Sequence, residues 1–142
     1  MKNQIQLWKK IPVDVYINHI IPYTYQKIDT KLLNDIRNFI YDYNMIINYY
    51  YFDMNEYCLL IDIIWFFNKK PITEINHLFI NFLNRNIIFN KLSYDKKISF
   101  IKNNFYCNLY SNAAKKNKLL LALMTPSERA NFINRYIIEY YE

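Results

Sequence analysis

Residues 29–50, DTKLLNDIRNFIYDYNMIINYY, decide the fold class of this chain. Their apolar residues recur at steps of three and four, which is the spacing of one face of an α-helix. They are Leu32, Leu33, Ile36, Phe39, Ile40, Tyr43, Ile46, Ile47 and Tyr50. Asp29-Thr30 is an N-cap signal, and the opposite face is polar. The stretch predicts an amphipathic helix of about twenty residues.

The same spacing predicts helices on both sides of this stretch. Pro12 opens a short helix that runs to about Ile21, where Pro22 stops it. Residues 55–68 are apolar nearly all round, which is typical of a central, buried helix. A buried strand is the alternative for residues 55–68, and their length favours the helix.

The second half of the chain carries further helix signals. Residues 75–83 predict a fourth helix capped by Thr73, and Ser93 is the predicted cap of a fifth. Residues 119–124 are apolar again and predict helix. Thr125-Pro126-Ser127-Glu128 is a capping box with proline at the first helical position. The residues of this last helix predicted to face inward are Ala130, Ile133, Tyr136 or Ile137, and Tyr140.

Taken together, these segments predict an all-α protein with more than about 60% helix, well above the usual share. We expect a compact, irregular bundle of about six helices, because the helix lengths are uneven. Residues 1–142 are predicted to form a single domain, with residues 1–10 as a flexible N-terminal arm. The predicted core comprises Tyr43, Ile47, Ile63, Phe67, Phe79 and Phe82.

The chain contains no glycine. P-loops, dinucleotide-binding fingerprints and G-x-S-x-G nucleophile elbows all require glycine, so these motifs are excluded. Asparagine, present 20 times, is the expected substitute at helix ends, because it tolerates the left-handed conformation best after glycine.

Side chains that carry metal and nucleophile chemistry are few: His19, Cys58, His77 and Cys107. They show no local ligand spacing, so we expect no metal and no cofactor. Both cysteines lie in apolar patterns typical of buried free thiols. Asp62, which lies inside an apolar run, is interpreted as a wet helix edge or as the partner of a Lys or Arg. We therefore expect that the protein is not an enzyme.

Positive charge is concentrated in one segment. The net charge is +6, and the segment 85–118 holds eight basic residues and one acidic residue. The basic residues are Arg85, Lys91, Lys96, Lys97, Lys102, Lys115, Lys116 and Lys118. Aromatic residues interleave with them, which can indicate single-stranded nucleic-acid binding. Because these aromatics fall at inward helical spacing, the preferred interpretation places them in the core.

No apolar run indicates a membrane span, because the longest, residues 59–67, is too short to cross a bilayer. The first ten residues, MKNQIQLWKK, show no secretory signal, so we expect an intracellular protein and no membrane partner. Ile, Asn, Tyr and Lys make up 72 of the 142 residues, which indicates an A/T-rich genome.

Residues 7–23, LWKKIPVDVYINHIIPY, resemble the start of an F-box, which opens with Leu-Pro, an acidic residue and a short helix. Here Ile11 takes the place of the leucine, and Pro22-Tyr23 replaces the apolar helix end. The resemblance implies binding to a Skp1-type adaptor. The contacts that it implies are Ile11, Pro12, Val15 and Ile20. The alternative is that this stretch is only a helix start that packs on the bundle.

Together with residues 33–39, LNDIRNF, the same stretch resembles short helical proteins of nucleocytoplasmic large DNA viruses. This resemblance implies a viral protein in the host cytoplasm or nucleus, or within a virion. We therefore expect a non-catalytic, F-box-like interaction protein whose partner is a Skp1-type adaptor or a viral structural protein. The alternative is a basic virion or nucleoid component that binds nucleic acid through residues 85–118.

Overall fold

A computed structural model describes residues 12–20 and 29–139, of which 79% are helical. Neither range contains a strand. The described residues form eight α-helices, and three of these helices continue into a π-helical segment. They are α1 (Val13–Val15, continued by Tyr16–Ile20), α2 (Thr30–Asp53), α3 (Glu56–Asn68), α4 (His77–Leu83), α5 (Ile87–Asn90), α6 (Tyr94–Ile101, continued by Lys102–Cys107), α7 (Ala113–Leu123) and α8 (Pro126–Ile133, continued by Asn134–Ile138). The all-α prediction is confirmed, whereas the predicted number of helices is too low.

Asparagine caps explain α5, the short helix that was not predicted from the sequence. Asn76 and Asn86 precede α4 and α5, and each side-chain oxygen accepts a hydrogen bond from a backbone N–H of the first turn at 3.0 Å. A capping side chain satisfies a donor that has no partner within the helix. Thr73 as the cap of α4 was therefore a wrong prediction, because the cap lies three residues later.

The left-handed conformation occurs at two residues of the described part, Lys69 (φ 53°) and Asn112 (φ 55°). Lys69 ends α3, and its N–H donates to Trp65 O at 2.9 Å. Next to it, the buried Asn68 donates to Lys70 O at 2.7 Å and accepts from Asn76 N at 2.7 Å, which holds the loop before α4. Asparagine thus serves helix ends as expected, although lysine takes the position after α3.

The contacts of the chain divide it into two units, Met1–Asn34 and Asp35–Glu142. In the first unit, α1 is short and exposes Val13 and Ile17. The helix predicted to run to Ile21 is thus an α-helical turn followed by a π-helix to Ile20, and its predicted stop at Pro22 lies outside the described residues. The prediction of one domain remains a prediction.

The core of the second unit is apolar and formed largely around α3, which confirms the prediction that this helix is central. Its buried hydrophobic side chains are Ile46 and Tyr50 of α2, Leu59, Leu60, Ile63, Ile64 and Phe67 of α3, Phe79, Ile80, Phe82 and Leu83 of α4, and Phe89, Ile101, Phe105, Ala113, Leu120, Leu121, Met124, Phe132 and Ile133 of the later segments. Four of the six predicted core residues are among them. The other two, Tyr43 and Ile47, are only partly buried.

The capping box before α8 is confirmed, since Thr125 N donates to Glu128 Oε2 at 2.8 Å and Glu128 N donates to Thr125 Oγ1 at 3.3 Å. Ile133 faces the core as predicted, but Ala130 is exposed. The buried face runs instead through Arg129, Phe132 and Ile133, because Arg129 has ion-pair partners inside the fold. Tyr140 lies outside the described residues.

Candidate functional site

An apolar stripe runs along the side of α2 next to its core face. It comprises Ile36, Ile40, Tyr43, Ile47 and Tyr51, which follow one another at steps of four and three residues and therefore share one side of the helix. Ile36 is 47% exposed, Ile40 54% and Tyr51 80%. We call these five residues the α2 stripe. It is apolar surface that the described part of the second unit leaves largely uncovered.

The α2 stripe leads into a pocket of about 510 Å³. Tyr43, Ile47 and Tyr51 form one wall of this pocket, which we call the α2 pocket. The other lining residues are Tyr50, Met54, Asn55, Glu56, Leu59, Ala114 and Asn117. A concave, mostly apolar pocket with a few polar groups is the usual form of a binding site.

Asn117 contributes an unpaired polar atom to the wall of the α2 pocket. The residue is 1% exposed, and its Nδ2 donates to Glu56 O at 2.7 Å. Its Oδ1 is buried and has no hydrogen-bond partner among the described residues. A buried acceptor without a donor typically destabilises a fold by about 1–3 kcal/mol. Asn117 therefore makes this part of the pocket wall polar.

Tyr50, which lines the α2 pocket, donates a hydrogen bond from its hydroxyl to Asp62 Oδ2 at 2.5 Å. Burial raises the pKa of Asp62, and the hydrogen bond from Tyr50 opposes part of that rise. Burial also raises the pKa of Tyr50, so its hydroxyl keeps its proton and acts as a donor. The predicted Lys or Arg partner of Asp62 was wrong, because a tyrosine from α2 takes that place.

Three of the eight basic residues predicted to contact nucleic acid are engaged within the protein. Arg85 forms a bidentate ion pair with Glu128, at 2.5 and 2.7 Å, which lowers the pKa of Glu128 to about 2. Lys116 donates to the backbone oxygens of Asn108 and Leu109, and burial lowers its pKa. Lys97 lies over the ring of Phe89 at 5.7 Å. The five that remain exposed are Lys91, Lys96, Lys102, Lys115 and Lys118.

The aromatic residues among these lysines are divided between core and surface. Phe89 and Phe105 are buried, as the inward spacing predicted. Tyr94, Tyr106 and Tyr110 are more than half exposed. The expectation that all of these rings belong to the core was therefore wrong for the three tyrosines and for Phe100, which is 38% exposed. Tyrosine can lie at the surface because its hydroxyl reaches water while its ring packs on neighbours.

The four residues implied as adaptor contacts belong to the first unit. Pro12 and Val15 are exposed. Ile20 ends the π-helical segment Tyr16–Ile20, whereas Ile11 lies outside the described residues. The structure thus leaves Pro12 and Val15 accessible.

The candidate metal and nucleophile residues are dispersed. Cys107 is exposed and Cys58 only partly buried, so the prediction of two buried thiols was wrong. His19 and His77 are both exposed. Within residues 12–20 and 29–139, no three His, Cys, Asp or Glu side chains are grouped as a metal site would require. No helix in these ranges has the length and apolarity needed to cross a membrane.

Comparison with protein-family models finds no match for this chain, and comparisons with curated proteins and with solved structures find none either.

Proposed function

We propose that this chain is a non-catalytic protein that binds another protein through the α2 stripe and the α2 pocket. The observation that carries the proposal is the exposure of Ile36, Ile40 and Tyr51 on one side of α2, in line with the partly buried Tyr43 and Ile47 that line a pocket of about 510 Å³. Contiguous exposed apolar surface of this kind marks interaction sites in proteins that fold on their own.

The occupant that best fits this surface is an amphipathic helix of the partner. Ile36 and Tyr51 are separated by 15 residues, which corresponds to about 22 Å along the helix axis, or about four turns. A partner helix can lie alongside α2 over this length and place one large apolar side chain in the pocket. Buried anchors of this type carry most of the binding energy of an interface.

Charges of both signs lie at the α2 pocket, because Glu56 lines it and lysines of α7 lie just beyond its lining. Ala114 of α7 lines the pocket, and the exposed Lys118 follows it by one helical turn on the same side. Lys115 lies in the same exposed turn. We propose that the partner helix carries acidic residues where it faces these lysines and none opposite Glu56, because complementary charge speeds association and selects the orientation.

The classes of partner inferred from the sequence remain proposals: a Skp1-type adaptor, bound as by an F-box, or a structural protein of a virus. Under the adaptor proposal, Pro12 and Val15 supply the contacts, and both are exposed. A viral origin is supported by the resemblance stated above and by the A/T-rich residue usage.

The proposal is tested with three single variants compared with the unaltered chain. Ile40→Asp and Tyr51→Asp each place a charge on the α2 stripe, and Ile87→Asp is the control, because the exposure of Ile87 on α5 lies between those of the two stripe residues. Partners are captured from producing cells, purified and titrated directly. We expect a partner whose affinity falls by more than about tenfold in both stripe variants, since a charge cannot enter an apolar contact, but not in the control.

A partner that binds the stripe variants as tightly as the unaltered chain overturns the proposal. The same measurements include sedimentation of the chain alone. If Ile40→Asp converts a dimer into a monomer, the stripe binds a second copy, and the helix of a different protein is not its occupant.

A second candidate function, binding of single-stranded nucleic acid through residues 85–118, is favoured by the exposed rings of Tyr94, Tyr106 and Tyr110 among five exposed lysines. Such rings can stack on bases while lysines contact phosphates. Affinity for single-stranded DNA or RNA should then fall steeply with salt, because each neutralised phosphate releases counterions. Lys115→Glu with Lys118→Glu should weaken this binding. Lys116 is left unchanged because it holds the turn before α7.

A further inference from the structure

A second cleft, of about 410 Å³, lies at the opposite end of α3 from the α2 pocket. We call it the basic cleft. Its cationic residues come from three different segments: Lys69 follows α3, Arg85 follows α4, and Arg135 lies in the π-helical segment after α8. Its apolar lining includes Phe66, Leu78 and Phe82.

The charge of the basic cleft is only partly balanced. Glu128, which also lines the cleft, pairs with Arg85 through both guanidinium nitrogens and neutralises it. No carboxylate of the described residues forms an ion pair with Lys69 or Arg135. The guanidinium of Arg135 instead lies 5.5 Å from the ring of its neighbour Tyr136. Two unpaired cations thus face one small cleft, and like charges gathered in a concave site attract an anion.

The backbone of Lys69 supplies an independent observation. Its φ of 53° places it in the left-handed region, which is unfavourable for a residue other than glycine, asparagine or aspartate. Asparagine is present 20 times and adopts this conformation at Asn112, yet lysine stands here. Residues held in unfavourable conformations cluster at functional sites. A functional role for the charge of Lys69 would account for a lysine at this position.

We infer that the basic cleft binds a small organic phosphate. A phosphate monoester carries about −1.5 to −2 charges at neutral pH, which matches the two unpaired cations, whereas a carboxylate would match only one. Its three terminal oxygens can accept a forked pair of hydrogen bonds from Arg135 and one from Lys69. The organic part of the ligand then lies against Leu78 and Phe66, of which Leu78 is well exposed.

This inference does not depend on the proposed function, because the basic cleft shares no lining residue with the α2 pocket. It also differs from nucleic-acid binding by residues 85–118. Lys69 and Arg135 lie outside that segment, and Arg85 is the only residue common to both sets.

The test is titration calorimetry with four probes: phenyl phosphate, uridine monophosphate, inorganic phosphate and phenol. We expect phenyl phosphate to bind with a Kd below about 1 mM, more tightly than inorganic phosphate, because its ring adds apolar contact. Phenol should not bind measurably, because it lacks the anion. Tighter binding of uridine monophosphate than of phenyl phosphate would identify a nucleotide as the preferred source of the phosphate group, and weaker binding would indicate another organic phosphate.

Matched variants locate the site. Lys69→Asn removes the charge and retains a residue that tolerates a positive φ, so the variant should melt no lower than the unaltered chain. Arg135→Gln removes the second cation, and Arg37→Gln is the control at an exposed arginine that lines neither the basic cleft nor the α2 pocket. We expect each cleft variant to weaken phenyl phosphate binding by at least about tenfold, as loss of a charge-assisted hydrogen bond does, and the control to bind normally. Absence of binding by every phosphate probe, or equal binding by the folded cleft variants, overturns the inference.

Discussion

Arg129 Nε donates a hydrogen bond to Asp42 Oδ2 at 3.0 Å and so ties α8 to the middle of α2. The same guanidinium, which is 3% exposed, also pairs with Asp35 Oδ1 at 3.0 Å and donates to Met124 O at 2.9 Å. Its plane lies 5.1 Å from the ring of Phe39. Asp35, Phe39 and Asp42 are spaced by four and three residues and so share one face of α2. Together they form the binding site of the buried Arg129 guanidinium.

Replacement of Arg129 should strongly destabilise the fold. Arg129→Met leaves two carboxylates without their partner, and breaking a buried ion pair from one side typically costs about 3–5 kcal/mol. Because both carboxylates are partly exposed and can be solvated, we expect the lower end of this range. Chemical denaturation measures the change. Arg135→Met is the control, since Arg135 is exposed, and an equal loss in both variants would contradict the role of the buried pair.

Truncation of a buried aromatic side chain should lower the stability of the fold, whereas truncation of an exposed one should have little effect. Phe67 is buried and stacks on Phe82 with ring centroids 3.7 Å apart. Phe67→Ala should lower the free energy of unfolding by about 3–5 kcal/mol. Phe52, 82% exposed at the end of α2, is the matched control. An unchanged melting temperature for Phe67→Ala would contradict the burial of this face of α3.

Asp62 should make stability depend on pH. Burial raises the pKa of its carboxyl above the ordinary value of 3.8, so between these two values the folded state binds more protons than the unfolded state. The contribution of this group to stability is therefore greatest below pH 3.8 and decreases as pH rises through the folded-state pKa. Asp62→Asn removes this effect, so the stability of the variant relative to the unaltered chain should increase as pH rises.

Tyr50→Phe tests the same pair from the other side. It removes the hydrogen bond that holds the pKa of Asp62 down, so the decrease in stability with pH should become larger and extend to higher pH. Denaturation between about pH 3 and pH 7 measures both effects. A difference between Asp62→Asn and the unaltered chain that is the same at every pH would refute the coupling.

The adaptor proposal predicts a distinct pattern of variants. Ile11→Asp or Pro12→Asp should abolish binding of a Skp1-type adaptor, because the contact is apolar, and salt should have little effect. The exchange of Lys115 and Lys118 for glutamate should leave that binding unchanged. Surface plasmon resonance with a purified adaptor measures it. Adaptor binding that survives Pro12→Asp but is lost in Ile40→Asp would assign the adaptor to the α2 stripe instead.

Local signals in the sequence were sufficient for most of the helices. The start of α2, the bounds of α3 and the capping box at Thr125 follow from patterns that span only three or four residues, whereas α2 continues to Asp53, beyond its predicted end. The division of residues 76–90 into two short helices was not predicted. Asparagine at Asn76 and Asn86 can serve equally as a cap, a turn residue or a helical surface residue, so its role depends on what surrounds it.

The residues of the candidate site were harder to predict from the sequence than the helices. Tyr43 and Ile47 were predicted as core, and they pack against it, but they are only partly buried and also line the α2 pocket. The apolar spacing of α2 is the same on the covered and uncovered sides, so it could not distinguish Ile46, which is fully buried, from Ile40, which is half exposed. Asn117 and Arg129 gave no signal, because a polar residue within a helix is ordinarily at the surface.

The sequence by itself determined that the chain is all-α, where its main helices begin, and that glycine-dependent phosphate loops are excluded, because propensity, capping and periodicity act between residues that are close along the chain. Only the tertiary structure decided which apolar side of α2 is covered, that Arg129 is buried between Asp35 and Asp42, and that Lys69 and Arg135 line one cleft. The last two outcomes depend on packing between segments more than sixty residues apart. In all three, the free energy of the contacts is set by burial and partner geometry, which no local pattern contains.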